Sequence, residues 1–137
     1  MIEQITLPWW GWGYLLVTHF FFVIGIMGND KKVWNEIVSS TLALFSICLF
    51  VIGFFNYFIV DAIGFLFIPM FLIGIYWEFT KAVVESARAE EELAKETELN
   101  ENERLVMLNV AIAFNACLVV PGYVMGMVLC FSVLGLI

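Results

Sequence analysis

Residues 39–77 contain one charged side chain, Asp61. A helix rises about 1.5 Å per residue, so an unbroken helix over these 39 residues would reach about 58 Å. That is almost twice the roughly 30 Å hydrocarbon core of a bilayer, so the stretch has to fold back on itself. Asn56, Tyr57 and Asp61 are the polar residues placed to make the turn, which divides it into spans at about 39–57 and 62–77. A connection that short makes the two helices antiparallel neighbours.

Residues 7–28 form another apolar run, free of acidic and strongly basic side chains and holding the single histidine, His19. Its start, LPWWGWGY, gathers Trp9, Trp10, Trp12 and Tyr14, amphipathic rings of the kind that settle at headgroup level. Trp34 is placed to mark the opposite boundary. With no Lys or Arg ahead of it and no small-residue cleavage site, the run reads as a retained span rather than a removed signal peptide. The last run, 105–137, has 33 residues and about 50 Å of helical length, too much for one crossing and too little for two with a turn. It reads as one long helix crossing at about 110–134, with its first turns outside the bilayer. A kink is expected at Pro121, whose missing N–H frees the carbonyl of Cys117. Composition agrees: 63% hydrophobic, 17% aromatic and 14% charged residues, with a mean hydropathy of +0.98, lie outside the range of soluble domains. The expectation is an all-α polytopic membrane protein, a single domain over 1–137 with four transmembrane helices.

Every Lys and Arg falls in one of two connections: Lys31 and Lys32 between spans one and two, and Lys81, Arg88, Lys95 and Arg104 between spans three and four. Four crossings put those connections on one side. The positive-inside rule makes it the cytoplasm for loops 29–38 and 78–104, with both chain ends and Asp61 outside. Residues 78–104 also hold nine Glu against four basic residues, a net charge of −5 out of −7 for the chain. The segment is rich in helix formers and carries opposite charges four apart in Lys81/Glu85 and Glu91/Lys95, which favours a helix continuing out of span three. Phe79, Val83, Ser86, Ala89 or Glu90, and Leu93 give a thin apolar seam at close to heptad spacing. TELNENE interrupts it, with Asn100 and Glu103 spaced as a capping box for the final helix. The segment therefore reads as a cytoplasmic helical hairpin extending helices three and four, whose seam packs on the early turns of helix four; a solvated loop is the plainer alternative. Its acidity argues against nucleic acid or anionic headgroups as partners.

Candidate site residues are few. His19 lies near the middle of span one, where an ionisable group is a functional hypothesis by default: haem ligation, quinone contact or proton carriage. One histidine per chain gives a bis-His haem only by pairing across two protomers, and a neutral imidazole bonded to a neighbouring helix is the structural reading. Asn109 and Asn115 recur along the last helix, and Ala111, Asn115, Leu118, Gly122 and Gly126 fall close to one face of it. Gly122 and Gly126 form a GxxxG pair that lets backbones approach closely. The face serves either packing within the bundle, contact between protomers, or the wall of a pore. Asp61 is a turn residue or, in an oligomer, one member of a carboxylate ring at a pore mouth. Glu85, Arg88, Glu91, Glu92 and Lys95 are the charges through which the hairpin would meet a cytoplasmic partner or couple to a gate. Cys48, Cys117 and Cys130 lie scattered in apolar spans with no CxxC, so no disulfide framework or thiol pair is suggested.

No phosphate loop, metal-ligand spacing or nucleophilic triad is visible, so the sequence does not read as an enzyme and calls for no cofactor or metal. The partners expected are the lipid bilayer, further copies of the chain and a cytoplasmic protein met through residues 78–104, with no nucleic acid. The leading functional expectation is a homo-oligomeric channel or pore gated by hydrophobic constriction. A non-catalytic accessory or scaffold subunit of a larger membrane complex is the second, and a cytochrome or quinone-binding subunit using His19 the third.

Overall fold

The computed structural model describes residues 5–28, 34–95 and 98–137, and of Asn35 and Glu36 the backbone alone. The elements are α1 (Trp9–Met27), α2 (Trp34–Phe55), α3 (Tyr57–Ile63), a single 3-10 turn (Gly64–Leu66), α4 (Phe67–Lys95) and α5 (Glu101–Val133). Among the described residues there is no strand, and four helical segments are long and apolar enough to cross a membrane. Lys31 and Lys32 lie outside the described residues. Residues 34–38, expected in a loop, are the first turns of α2.

The fold-back is longer than the sequence suggests. α2 stops at Asn56, whose buried amide takes over local hydrogen bonding. Its Oδ1 accepts from the Thr6 backbone N–H at 2.8 Å and the Thr6 hydroxyl at 3.2 Å, while its Nδ2 donates to the carbonyls of Thr6 at 2.9 Å and Ile52 at 2.8 Å. A side-chain amide satisfied on every side needs no water, and here it straps the segment before α1 to the end of α2. The chain then makes the two turns of α3, pinned by buried Val60, and reverses at Gly64, whose φ of +20° disfavours side-chain-bearing residues. α4 begins only at Phe67, five residues after the expected start of span three, with Pro69 in its first turn, where the missing N–H is harmless. The expected antiparallel pairing of α2 and α4 holds: Gly53 lies against Phe67 at one end, and the Lys81 ammonium donates to the Ser40 hydroxyl at 3.1 Å at the other.

α2 is the central helix, packed against α1, α4 and α5. The core is aromatic: Phe50 and Phe67 are fully buried at 0% exposure, and the Phe50 ring lies 5.7 Å from that of Tyr123 and 6.0 Å from that of Phe71. Glycines make this density attainable. A Cβ on Gly122 would stand 2.7 Å from Ile47 Cγ2, and one on Gly126 2.8 Å from the Phe50 ring. In lipid, where burial from water gives helices little drive to associate, close backbone approach and packing hold them together. Of the uses open to the GxxxG pair, it serves packing within the chain's own bundle, against α2.

α1 is the most peripheral long helix, with only Gly11, Leu15 and Thr18 buried. It packs on α2 and is hydrogen-bonded to α5. The Tyr14 hydroxyl donates to the Leu118 carbonyl at 2.6 Å and accepts from the Gly122 N–H at 3.1 Å, so it inserts between two groups that a regular helix joins directly. This happens beside Pro121, where the ladder of α5 is already short of one donor. The helix continues through the proline to Val133.

α4 and α5 run antiparallel. The Cys130 thiol points to the Phe67 carbonyl at 3.5 Å, and Gly74 lies under the Tyr123 ring. The two pairs share one register, which carried onward sets Ala82 opposite Asn115 and Ala89 opposite Leu108. The expected capping box is formed: the Glu103 N–H donates to Asn100 Oδ1 at 2.9 Å, and the Asn100 N–H to Glu103 Oε2 at 3.0 Å. The helical extension of span three is also present, since α4 continues through residues 78–95, with Lys81–Glu85 and Lys95–Glu91 pairs at 3.7 and 3.2 Å.

Candidate functional site

The seam expected to close the α4–α5 hairpin stands open instead. Phe79 and Val83 on α4, and Val106, Val110 and Ile112 on α5, remain exposed. Between the helices lies a cleft of about 710 Å3 running from Phe71 to Ala89 on α4 and from Leu108 to Met127 on α5. The reason is residue size. Gly74 and Tyr123 hold the helices close at one end and the turn near Asn100 joins them at the other, but the facing positions between are small: Ala82, Ser86 and Ala89 opposite Ala111, Asn115 and Ala116. Small side chains at correct register leave the space unfilled.

The walls are mostly apolar, with Phe71, Ile75, Phe79, Ile112 and Val119 among them. The polar exceptions are Glu78, Glu85, Ser86, Asn115 and Tyr123. Tyr123 is only 8% exposed, and its hydroxyl finds no hydrogen-bond partner among the described residues. An orphan hydroxyl at such depth costs about 1–3 kcal/mol, and nearly all buried polar groups avoid that cost. It sits directly over Gly74, where a Cβ would approach to 2.7 Å, so the hydroxyl is held at this height by a residue with no side chain. Glu78, half-buried, lies one helical turn further along α4 in the same wall.

The residues singled out from sequence scatter around this cleft. Asn115 lines it, together with Ala111; Gly122 and Gly126, expected on the same face, turn toward α2 instead. The face divides because the second half of α5 packs on α2 as well as on α4, with Gly122 against Ile47 and Gly126 against Phe50. Asn109 is exposed and outside the cleft, and Asp61 is exposed on α3. Glu91, Glu92 and Lys95 are exposed near the end of α4, Glu85 lines the cleft, and Arg88 is exposed on the other side of the helix.

His19 is engaged at both ring nitrogens. Nδ1 lies 2.7 Å from the Leu15 carbonyl and Nε2 lies 3.7 Å from Cys48 Sγ. A carbonyl only accepts, so Nδ1 carries the proton and Nε2 is left to accept from the thiol. The imidazole thus bonds to its own helix and to α2.

Sequence reasoning did not single out Tyr123. A signal was there: a tyrosine eight residues after Asn115, the single tyrosine of a largely aliphatic helix. No protein-family model, no curated protein sequence and no solved structure matches the chain.

Proposed function

We propose that the protein is a non-catalytic membrane component that works by binding, and that the α4–α5 cleft holds the hydrocarbon chain of an amphiphile. The observation that carries this reading is the orphan hydroxyl of Tyr123 in an otherwise apolar cleft. The hydroxyl is sealed from solvent in the empty fold, one turn from the Phe71 end of the cleft, so a small opening of the wall would let it bond the polar group of a bound amphiphile.

The dimensions suit a chain. From Phe71 to Ala89 the cleft follows about 27 Å of α4, and a volume of about 710 Å3 between mostly apolar walls accommodates an extended hydrocarbon tail. The polar groups lie at the position expected of a bilayer boundary, since Glu78 follows directly on Trp77, a residue type enriched at interfaces.

The test is binding of a fluorescent fatty acid to the purified protein in non-ionic detergent, read by anisotropy. Saturable binding is expected, displaced by unlabelled fatty acid and weakened at least tenfold by Ala116→Phe, which fills the slot. Leu42→Phe, on an exposed part of α2, serves as the control for a bulky change. Equal affinity in the Ala116→Phe variant and the native protein would place the probe elsewhere and end the proposal.

A self-assembled pore is the second reading, favoured by Asn109 and Asn115, both exposed on α5 and available to a second copy. Its small glycines are already covered by α2, which leaves the asparagines as the polar lining. The particle mass in nanodiscs separates the readings: a closed ring of four or more chains whose conductance changes in Asn115→Leu supports a pore, and a monomer excludes a self-made one.

A further inference from the structure

On the side of α4 away from the cleft lies a second pocket, of about 300 Å3, lined by Ser39, Tyr76, Trp77, Lys81, Glu85 and Arg88. We infer that this pocket binds the phosphate of an anionic phospholipid headgroup.

Lys81 is oriented there by two neighbours. Its ammonium donates to the Ser40 hydroxyl at 3.1 Å and stands 5.5 Å from the centroid of the Phe22 ring, so it is positioned by α2 and α1 together. Its carboxylate neighbour, Glu85 Oε1, is 3.7 Å away. That exceeds hydrogen-bonding range, so the ammonium keeps donors for an oxyanion. Arg88, seven residues on, lines the same pocket and adds a second positive charge beside Lys81.

The surroundings select a lipid over a soluble phosphate. Tyr76 and Trp77 form the wall nearest the apolar run, the residue types that lie at headgroup level. A lipid phosphate therefore meets the two cations while its chains run down beside the aromatic pair. A soluble anion lacks that apolar contact and approaches a chain of net charge −7. The segment's acidity, which at the level of composition argues against anionic headgroups, is not evenly spread: this pocket gathers two of its four basic residues with one glutamate.

Glu85 is also common to both sites, lining this pocket and the cleft. An anion drawn to Lys81 competes with Glu85, so the carboxylate limits affinity rather than providing it.

The experiment is native mass spectrometry of the detergent-solubilised protein with phosphatidylglycerol or phosphatidylcholine added at equal concentration. The expected result is preferential retention of phosphatidylglycerol, by about fivefold for each basic side chain. Lys81→Gln with Arg88→Gln brings the two lipids to parity, Lys81→Arg keeps the preference, and Glu85→Gln strengthens it. Retention by the double variant of the full preference, or equal binding of both lipids to the native protein, overturns the assignment. Displacement of the lipid by millimolar inorganic phosphate overturns the lipid as the source.

Discussion

Replacing Tyr123 by Phe separates a binding hydroxyl from a packing ring. The ring itself is core: its centroid lies 5.7 Å from that of Phe50 and 6.2 Å from that of Phe71, and Phe keeps both contacts. Only the hydroxyl goes, and with no partner it destabilises the empty protein by about 1–3 kcal/mol. The variant is therefore expected to be at least as stable as the native protein and up to about 3 kcal/mol more so, a rise of several degrees in Tm. Affinity for the fatty-acid probe should move the other way, because the bound state loses a hydrogen bond of about 0.5–1.5 kcal/mol, roughly twofold to tenfold in Kd. Thermal unfolding in detergent and anisotropy titration read the two quantities on one preparation. Opposite signs are the signature of a hydroxyl kept for a ligand. A Tyr123→Phe protein that loses more than about 1 kcal/mol of stability would refute the reasoning, since it would mean the hydroxyl is already satisfied within the fold.

Gly126→Leu should destabilise by several kcal/mol in the same thermal assay, because its first side-chain carbon would already meet the Phe50 ring at 2.8 Å. Gly13→Ala, which meets nothing within 4 Å in the second turn of α1, should be neutral or gain up to about 1 kcal/mol. Asn56→Ala removes four hydrogen bonds and leaves the Thr6 N–H and carbonyl without their partners. Its expected cost is about 2–4 kcal/mol, together with faster proteolysis ahead of α1; unchanged cleavage there would count against the strap.

What could be read in advance follows from which physical signals survive in an apolar sequence. Length against bilayer thickness gave the four helices long and apolar enough to cross, and local chemistry gave the Asn56 break, the Asn100–Glu103 cap and the Lys81–Glu85 pair, because each depends on residues a few positions apart. The division of the α5 face did not follow. In a soluble helix the contrast between polar and apolar sides tells which side is covered, but on α5 nearly every side is apolar. Spacing alone groups Asn115 with Gly126 without telling that one meets a cleft and the other the Phe50 ring. The cleft itself was hidden for a related reason: the seam of Phe79 and Val83 was visible, but whether facing alanines leave a gap depends on how far apart Gly74 and the turn hold two backbones. The continuation of the fold-back through α3 to Leu66 was equally silent, since its residues are as apolar as those of the spans beside it.

The Tyr14 hydroxyl lodged in α5 gives the bundle an order of completion. A ribosome makes α1 first and residues 118–122 last among the helices concerned, so the earliest helix gains its backbone anchorage from the latest. Until α5 arrives, α1 has a phenol without its intended acceptor and only three buried positions to hold it in the finished fold. A chain interrupted before residue 118 thus holds α1 through α2 alone, by the Asn56 strap and the His19–Cys48 contact, and closure of the Tyr14 rung adds its second attachment.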